Sequence, residues 1–207
     1  MFAEIHEYLL AVTPKRPPIL REMEKYAAKN GFPIIGPLVG RFLYQAAALT
    51  DARRVLELGS GYGYSAYWFS MAMGPKGRIV MTDTDAANRD RALAYFRRGR
   101  LRSHFDYHVG DALAVARKIS GPFDIVLNDI DKQDYPRTID LAARRLRKGG
   151  LFITDNVIWS GKVCQKRSRR DAATKGIVEF NKNLYEDERF FTTILPIRDG
   201  IALAIRV

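Results

Sequence analysis

Two apolar runs in this sequence each end in a cluster of oxygen donors. FDIVLNDIDKQDY (residues 123–135) brings Asp129, Asp131 and Lys132 behind one run, and LFITDNVIWSG (residues 151–161) brings Asp155 and Asn156 behind the other. If both runs are strands of one sheet, the five side chains share a rim. Two carboxylates and an amide, with no Cys or His among them, are hard donors that suit Mg2+, Mn2+ or Ca2+ and not zinc. Clustered acids are costly to bury without a compensating cation. Alone, an Asp-Asn pair after a strand reads as a turn or cap, and Lys132 as a surface ammonium; the coincidence at two strand ends favours a site.

The second chemical signal is VLELGSGYGYS (residues 55–65), an apolar strand running into Gly59, Gly61 and Gly63 before a helix. Glycines permit a tight turn and close approach of a ligand to the backbone, and a helix N-terminus offers free N–H groups. The following run, GRIVMTDTD, ends in Asp83, a carboxylate placed to accept both hydroxyls of a ribose. Two details argue against a dinucleotide: Glu57 sits inside the strand, and Tyr64 stands where the last glycine of G-x-G-x-x-G belongs.

The elements that must position these residues follow from the apolar rhythm. Up to about residue 50 the spacing predicts helices, Phe2 to Val12, Ile19 to Lys29 and Pro37 to Leu49, with a breaker run from Thr13 to Pro18. Beyond it, short buried strands at Arg54–Leu58, Arg78–Thr82, Phe105–Val109, Phe123–Asn128 and Leu151–Thr154 alternate with helical segments at Tyr64–Met73, Ala86–Arg98, Leu113–Ile119 and Tyr135–Arg147. That alternation implies an α/β, doubly wound, mostly parallel sheet with ligands at the carboxyl ends of its strands. A helix near Ala172–Tyr185 then leads to strands Phe190–Pro196 and Ile201–Arg206, an antiparallel hairpin across the turn Ile197–Gly200. Residues 1–50 read as a helical extension packed on the same domain as 51–207.

The glycine loop and its internal Glu57 are similar to motif I of the class I methyltransferases, which bind S-adenosylmethionine on a Rossmann-like sheet. With the donor cluster added, the chain resembles the metal-dependent O-methyltransferases of the catechol and caffeoyl-CoA type, from roughly Ile34 to the C-terminus. The family's D-x-x-K element stands as Asp129-Ile130-Asp131-Lys132, its D-N element as Asp155-Asn156, and its G-Y-S as Gly63-Tyr64-Ser65. The resemblance implies that Asp129, Asp155 and Asn156 bind the metal and that Lys132 is the general base. It also implies that Ile35, Glu57, Gly59, Gly61, Ser65, Asp83, Asp111, Ala112 and Asp129 line the cofactor site, Asp111 and Ala112 of VGDAL holding the adenine. Asp111 also reads as a helix N-cap. The chain departs from the family where the substrate is chosen. Arg198 replaces the usual small residue in the turn Pro196-Ile197-Arg198-Asp199-Gly200, and Lys166 to Arg170 makes the segment after Trp159 basic.

The implied chemistry is methyl transfer to oxygen. A divalent cation bound to both oxygens of a vicinal diol lowers the hydroxyl pKa. Lys132, disfavoured as an ammonium beside that cation, takes the proton, and the oxyanion attacks the sulfonium methyl in line.

Composition bounds these readings. The chain has 207 residues, about one domain's length, with 47% hydrophobic and 28% charged residues and a mean hydropathy of -0.22. One cysteine, Cys164, supports neither a disulfide framework nor a zinc module, so the expected setting is reducing and cytoplasmic. No run reaches the ~18 apolar residues of a membrane span, and the acidic start is unlike a signal peptide. The net charge of +11 permits anionic partners. The clusters Arg97–Arg102 and Arg144–Lys148 follow helices and read as solvated faces, whereas Lys162–Arg170 could hold phosphates of CoA or RNA. Trp159 reads equally as a substrate wall, core packing or a dimer contact, and His6, His104 and His108 lack ligand spacing. The leading expectation is O-methylation of a small aromatic vicinal hydroxyl. The alternatives are a tRNA methyltransferase acting on a hydroxyuridine and a non-catalytic S-adenosylmethionine-binding protein, which would be expected to lose Lys132 or a ligand. A homodimer is expected from the resemblance and from the apolar helix FAEIHEYLLAV.

Overall fold

The computed structural model describes residues 3–207, so Phe2, expected to open the first helix, lies outside the described residues. Three helices come first, α1 (Ala3–Val12), α2 (Pro18–Asn30) and α3 (Gly36–Leu49). Helix α2 starts on Pro18, whose missing N–H is no loss in a first turn, and stops at Gly31, left-handed at φ 61°. Then strand and helix alternate: β1 (Arg54–Leu58), α4 (Tyr64–Met73), β2 (Arg78–Asp83), α5 (Ala86–Arg98), β3 (His104–Val109), α6 (Ala112–Lys118), β4 (Phe123–Asn128), α7 (Thr138–Arg145), β5 (Leu146–Thr154), α8 (Ala172–Glu186), β6 (Phe190–Leu195) and β7 (Ile201–Arg206).

The seven strands form one sheet in the order β3-β2-β1-β4-β5-β7-β6. Strands β1 to β5 are parallel, β7 is antiparallel to β5 and β6 to β7. The chain winds outward from β1 to β3, then crosses back to β4, so the sheet reverses direction between β1 and β4, where Leu58 faces Asn128. At such a reversal the loops leaving the two strands diverge and open a crevice.

Alternation along the strands divides the core. Val55, Ile79, Met81, Ile125, Leu127 and Ile153 face α2, α3, α4 and α5, while Leu56, Leu58, Val80, Val126 and Phe152 face α6, α7 and α8. Leu20 and Met23 of α2 and Val39 and Leu43 of α3 are fully buried in the first of these cores. The residues before 50 thus share apolar contacts with β1 and α4, each such side chain contributing roughly 2 kcal/mol.

Two elements differ from expectation. The helix expected over Tyr135–Arg147 opens as a 3-10 turn, Lys132–Arg137, because Pro136 cannot donate an α-helical hydrogen bond; only Thr138–Arg145 is α-helical. Strand β5 starts at Leu146, five residues early: Leu146 pairs with Phe123, and the ladder resumes at Leu151 with Ile125. The excess residues are absorbed at Gly149, which takes φ 72°. The basic segment after β5 forms 3-10 turns over Trp159–Cys164, broken by a kink where Ser160 and Gly161 are left-handed, and over Arg167–Arg169. Among the described residues no helix is long and apolar enough to cross a membrane.

Candidate active site

The loop between β1 and α4 is built from backbone contacts that only glycine permits. Gly59 sits at φ 82°, and a Cβ there would lie 2.5 Å from the Asp129 carbonyl oxygen. Its absence lets the β1 and β4 loops approach each other across the reversal point. Thr82 at the end of β2 fixes the loop from beneath: its hydroxyl donates to the Glu57 carbonyl at 2.8 Å and accepts from the Gly59 N–H at 3.2 Å. The Ser60 N–H donates to the Thr82 carbonyl at 2.7 Å. From above, Tyr107 of β3 donates its phenol O–H to the Gly61 carbonyl at 2.5 Å. The loop's aromatics reach back to the N-terminal helices, Tyr62 donating to the Met23 carbonyl and Tyr64 to Glu24, which also holds Arg16.

Acids surround this loop. Glu57 is wholly buried beneath it with neither oxygen in a hydrogen bond of ordinary geometry. Burial pushes its carboxyl up to about 7, an effect the Ser65 and Ser60 hydroxyls oppose and the Asp129 charge reinforces. Asp83 caps the loop, its Oδ2 accepting from the Gly61 N–H at 3.0 Å and its Oδ1 from Asp85 N–H and Asn88 Nδ2 at 2.9 and 3.1 Å. Asp111 is the N-cap of α6, accepting from the Ala114 N–H at 2.7 Å.

On the other side of the reversal, Lys132 Nζ lies 2.7 Å from Asp129 Oδ1 and donates also to the Ile130 carbonyl at 3.3 Å. The ammonium is 14% exposed and lies over the Tyr135 ring at 5.2 Å and the Trp159 ring at 5.9 Å. Asp155 is 1% exposed; its Oδ1 has no hydrogen-bond partner, and its Oδ2 is 3.6 Å from Arg198 Nη1. Burial and the neighbouring Asp129 charge push its carboxyl up to about 7, against the pull of Arg198. Asp129 is also raised by burial, opposed by Lys132 and Arg198. Tyr135 donates to the Asp155 carbonyl at 2.9 Å and so fixes the end of β5. Asn156, left-handed at φ 61°, points Nδ2 at Asp199 Oδ2, 3.4 Å away.

Both halves open onto one cleft of about 470 Å³. Of the residues expected from the sequence, Ile35, Gly59, Gly61, Ser65, Asp83, Asp111, Ala112, Asp129, Lys132, Asp155 and Asn156 line it, and Glu57 lies beneath its floor. Trp159 and Arg198 line it too, whereas Lys166 to Arg170 do not. Arg170 donates to the Gln165 and Val163 carbonyls and so holds its own loop together. Sequence reasoning missed the clamps Thr82 and Tyr107 and the support of Tyr135. Thr82 stands one residue before Asp83 and gave a weak signal; a hydroxyl on a buried strand says nothing of its partner.

The residues suit the implied ligands. Glu57 is a buried, unpartnered acid under a glycine cradle, a site for a ligand that carries a cationic group. Among the described residues no three His, Cys, Asp or Glu side chains gather as for a metal; the candidate set is instead two carboxylates and an amide. The free Asp155 Oδ1 within it is a hard oxygen donor lacking a partner.

A sheet of this order, with a glycine loop and acid-tipped strands around its reversal point, defines a Rossmann-like methyltransferase. The O-methyltransferase family profile matches residues 11–207. A catechol O-methyltransferase of Niastella koreensis is 34% identical over 189 residues, spanning 86% of this chain and 85% of that one. A caffeoyl-CoA O-methyltransferase of Petroselinum crispum is 29% identical over 98% of this chain and 90% of its own. The crystal structure of a Bacillus cereus O-methyltransferase in complex with SAH superposes with a TM-score of 0.88 at 26% identity, covering 99% of this chain and 97% of that one. The chain belongs to the O-methyltransferase family and is an S-adenosylmethionine-dependent O-methyltransferase of the catechol and caffeoyl-CoA type.

Proposed function

We propose that this enzyme methylates one of two vicinal hydroxyls on a small aromatic molecule with the help of a divalent cation, most suitably Mg2+. The observation that carries the reading is the meeting, in one cleft, of the glycine loop over Glu57 with Asp129, Asp155, Asn156 and Lys132. The names of the relatives, catechol and caffeoyl-CoA O-methyltransferase, support the same substrate class.

On this reading the chain's own groups divide the work. Glu57, under the loop, favours the cofactor's ammonium end, and Asp83 has lone pairs left for ribose hydroxyls. Ile35, Gly59, Gly61, Ser65, Asp111, Ala112 and Asp129 border the same ligand, so that the methyl faces the donor cluster. Asp129, Asp155 and Asn156 would hold the cation, which would lower the hydroxyl's pKa and orient the diol. With the cation bound, Lys132 would give up one ammonium proton to solvent and, as the free amine, receive the hydroxyl proton; its half-buried place between Asp129 and the Tyr135 and Trp159 rings keeps it within the cleft. The hydroxyl oxygen then displaces the thioether from the methyl carbon, an O–C bond forming as the S–C bond breaks, with alignment as the enzyme's main contribution.

A small molecule is favoured over tRNA because the basic segment 166–170 stays out of the cleft and Arg170 is bound to its own loop. The test is methyl transfer from labelled S-adenosylmethionine to a panel of catechols, and to bulk tRNA from cells lacking the protein, with and without EDTA. EDTA-sensitive labelling of catechols is expected. Labelling of tRNA alone would overturn the substrate, and EDTA-resistant labelling would overturn the cation.

A further inference from the structure

The turn between β6 and β7 carries Arg198 into the cleft by a strained route. Its backbone is left-handed at φ 53°, a conformation strained for a non-glycine residue. The turn is held there by Gly200 N–H to the Ile197 carbonyl, Ile158 N–H to the Asp199 carbonyl and Val157 N–H to the Gly200 carbonyl. The arginine stem packs over Gly36, with Cδ and Nε 3.8 and 3.7 Å from where a Cβ would be. The side chain is 35% exposed, and no described residue accepts a hydrogen bond from its five N–H groups.

Several other half-buried arginines are hydrogen-bonded, Arg16 to Glu24, Arg147 to Asp124, Arg145 and Arg206 to carbonyls, whereas Arg91, whose Nε has no hydrogen-bond partner, lies over the Tyr26 ring at 4.0 Å. The acids near Arg198 are engaged elsewhere too. Asp129 takes Lys132, and Asp199 takes the Ser160 N–H and Asn156. Among the described residues Asp155 is the acid within ion-pair distance of the guanidinium, across 3.6 Å without a hydrogen bond, while Asp129 feels its charge from farther off. A cation held by Asp155 would compete for that carboxylate and repel Arg198, leaving a planar fork of donors at the reacting end of the cleft. Such a fork matches a carboxylate in two parallel hydrogen bonds.

We propose that Arg198 is a specificity-determining residue that binds a carboxylate carried by the substrate's own aromatic ring, so that the preferred substrates are dihydroxylated aromatic acids. This rests on the vicinal-hydroxyl reading above and deepens it. The anionic group belongs on the reacting ring and not on a distant moiety, because Arg198 sits beside Asp155 while the basic segment 166–170 lies outside the cleft.

The test compares 3,4-dihydroxybenzoate with its neutral amide, which has nearly the same shape. Calorimetric binding is measured with Mg2+ and S-adenosylhomocysteine present, and methyl transfer is measured alongside. Wild type should bind the acid about 10- to 100-fold more tightly than the amide, the usual span for a charge-assisted hydrogen-bonded pair. Arg198→Gly, which suits the left-handed backbone, should bring the ratio within threefold, and Arg198→Lys should restore part of it. An unchanged ratio in Arg198→Gly, or no preference for the acid in wild type, overturns the inference. If calorimetry shows the Arg198-dependent preference but neither compound is methylated, the vicinal-hydroxyl reading fails while the carboxylate site stands. If both are methylated without discrimination, only the carboxylate site fails.

Discussion

On the proposed cofactor-binding role of Glu57, folding and cofactor binding pull in opposite directions at this residue, and Glu57→Gln separates them. A carboxyl that ionises near 4.5 in the unfolded chain and at about 7 when buried costs roughly 3 kcal/mol once the pH exceeds both values. Between those values the folded chain keeps a proton that the unfolded chain has lost. Stability therefore falls as the pH rises from about 4.5 to about 7 and levels off above that window. Asp155 acts in the same sense from 3.8 to about 7, so the wild-type slope has two parts. Glu57→Gln keeps the shape and removes one of them. In urea unfolding of cofactor-free protein in EDTA, the variant's advantage over wild type should grow by roughly 2 to 3 kcal/mol between pH 4 and pH 8. The same substitution should weaken S-adenosylmethionine binding, because the buried anion that favours the cofactor's ammonium is gone. Parallel stability curves for the two proteins would refute the reasoning, since Glu57 would then carry no perturbed proton.

Asp155→Ala should abolish methyl transfer and the stabilisation by added Mg2+ while leaving the apo-protein's thermal midpoint within a few degrees, because it removes a buried charge and its site lies at a rim; an unfolded variant contradicts this. Gly40→Ala should destabilise by more than about 2 kcal/mol in chemical unfolding, because its Cβ would fall 2.2 Å from Trp68 Nε1 at the α3–α4 contact. Replacing Lys166, Arg167 and Arg169 together should leave kcat/KM for a neutral catechol within a small factor, as exposed charges outside the cleft are screened beyond ~8 to 10 Å; a steep loss would show that the segment meets substrate. Sedimentation at micromolar concentration should give a dimer, since Ile5, Tyr8, Leu9 and Val12 leave α1 with an exposed apolar face; a monomer counts against it.

Much of the molecule was legible because its signals are local. Buried strands announce themselves by apolar runs, and the residues ending β1, β2, β4 and β5 needed only the rule that parallel strands share a carboxyl edge. What was illegible depends on partners distant in sequence. Proline at 136 did not reveal that the turn before it would carry Lys132 onto Asp129, and nothing near residue 146 announced its pairing with Phe123. Arg170 read as one of a basic cluster able to hold phosphates, although its guanidinium is taken by carbonyls five and seven residues away on its own loop. Arg198 was visible as a departure from a small residue, but its meeting with Asp155 spans 43 positions of the chain.

The two sides of the cleft are held by different kinds of force, which bears on what can vary. The cofactor side is fixed by the close backbone approach at Gly59 and by bonds from the Thr82 hydroxyl and the Asp83 carboxylate to the loop's backbone, where a side-chain change disturbs the loop itself. The opposite side is held by ion pairs, Lys132 with Asp129 and Arg198 with Asp155, whose members can part without moving a strand. Of these, Arg198 alone stands on a turn whose hydrogen bonds come from the backbone and from Asp199 rather than from its own side chain. Its guanidinium can therefore be exchanged at little cost to the fold. On the proposed reading, substrate choice is free to change at that turn while the donor cluster and glycine loop at the β1, β4 and β5 ends stay as they are.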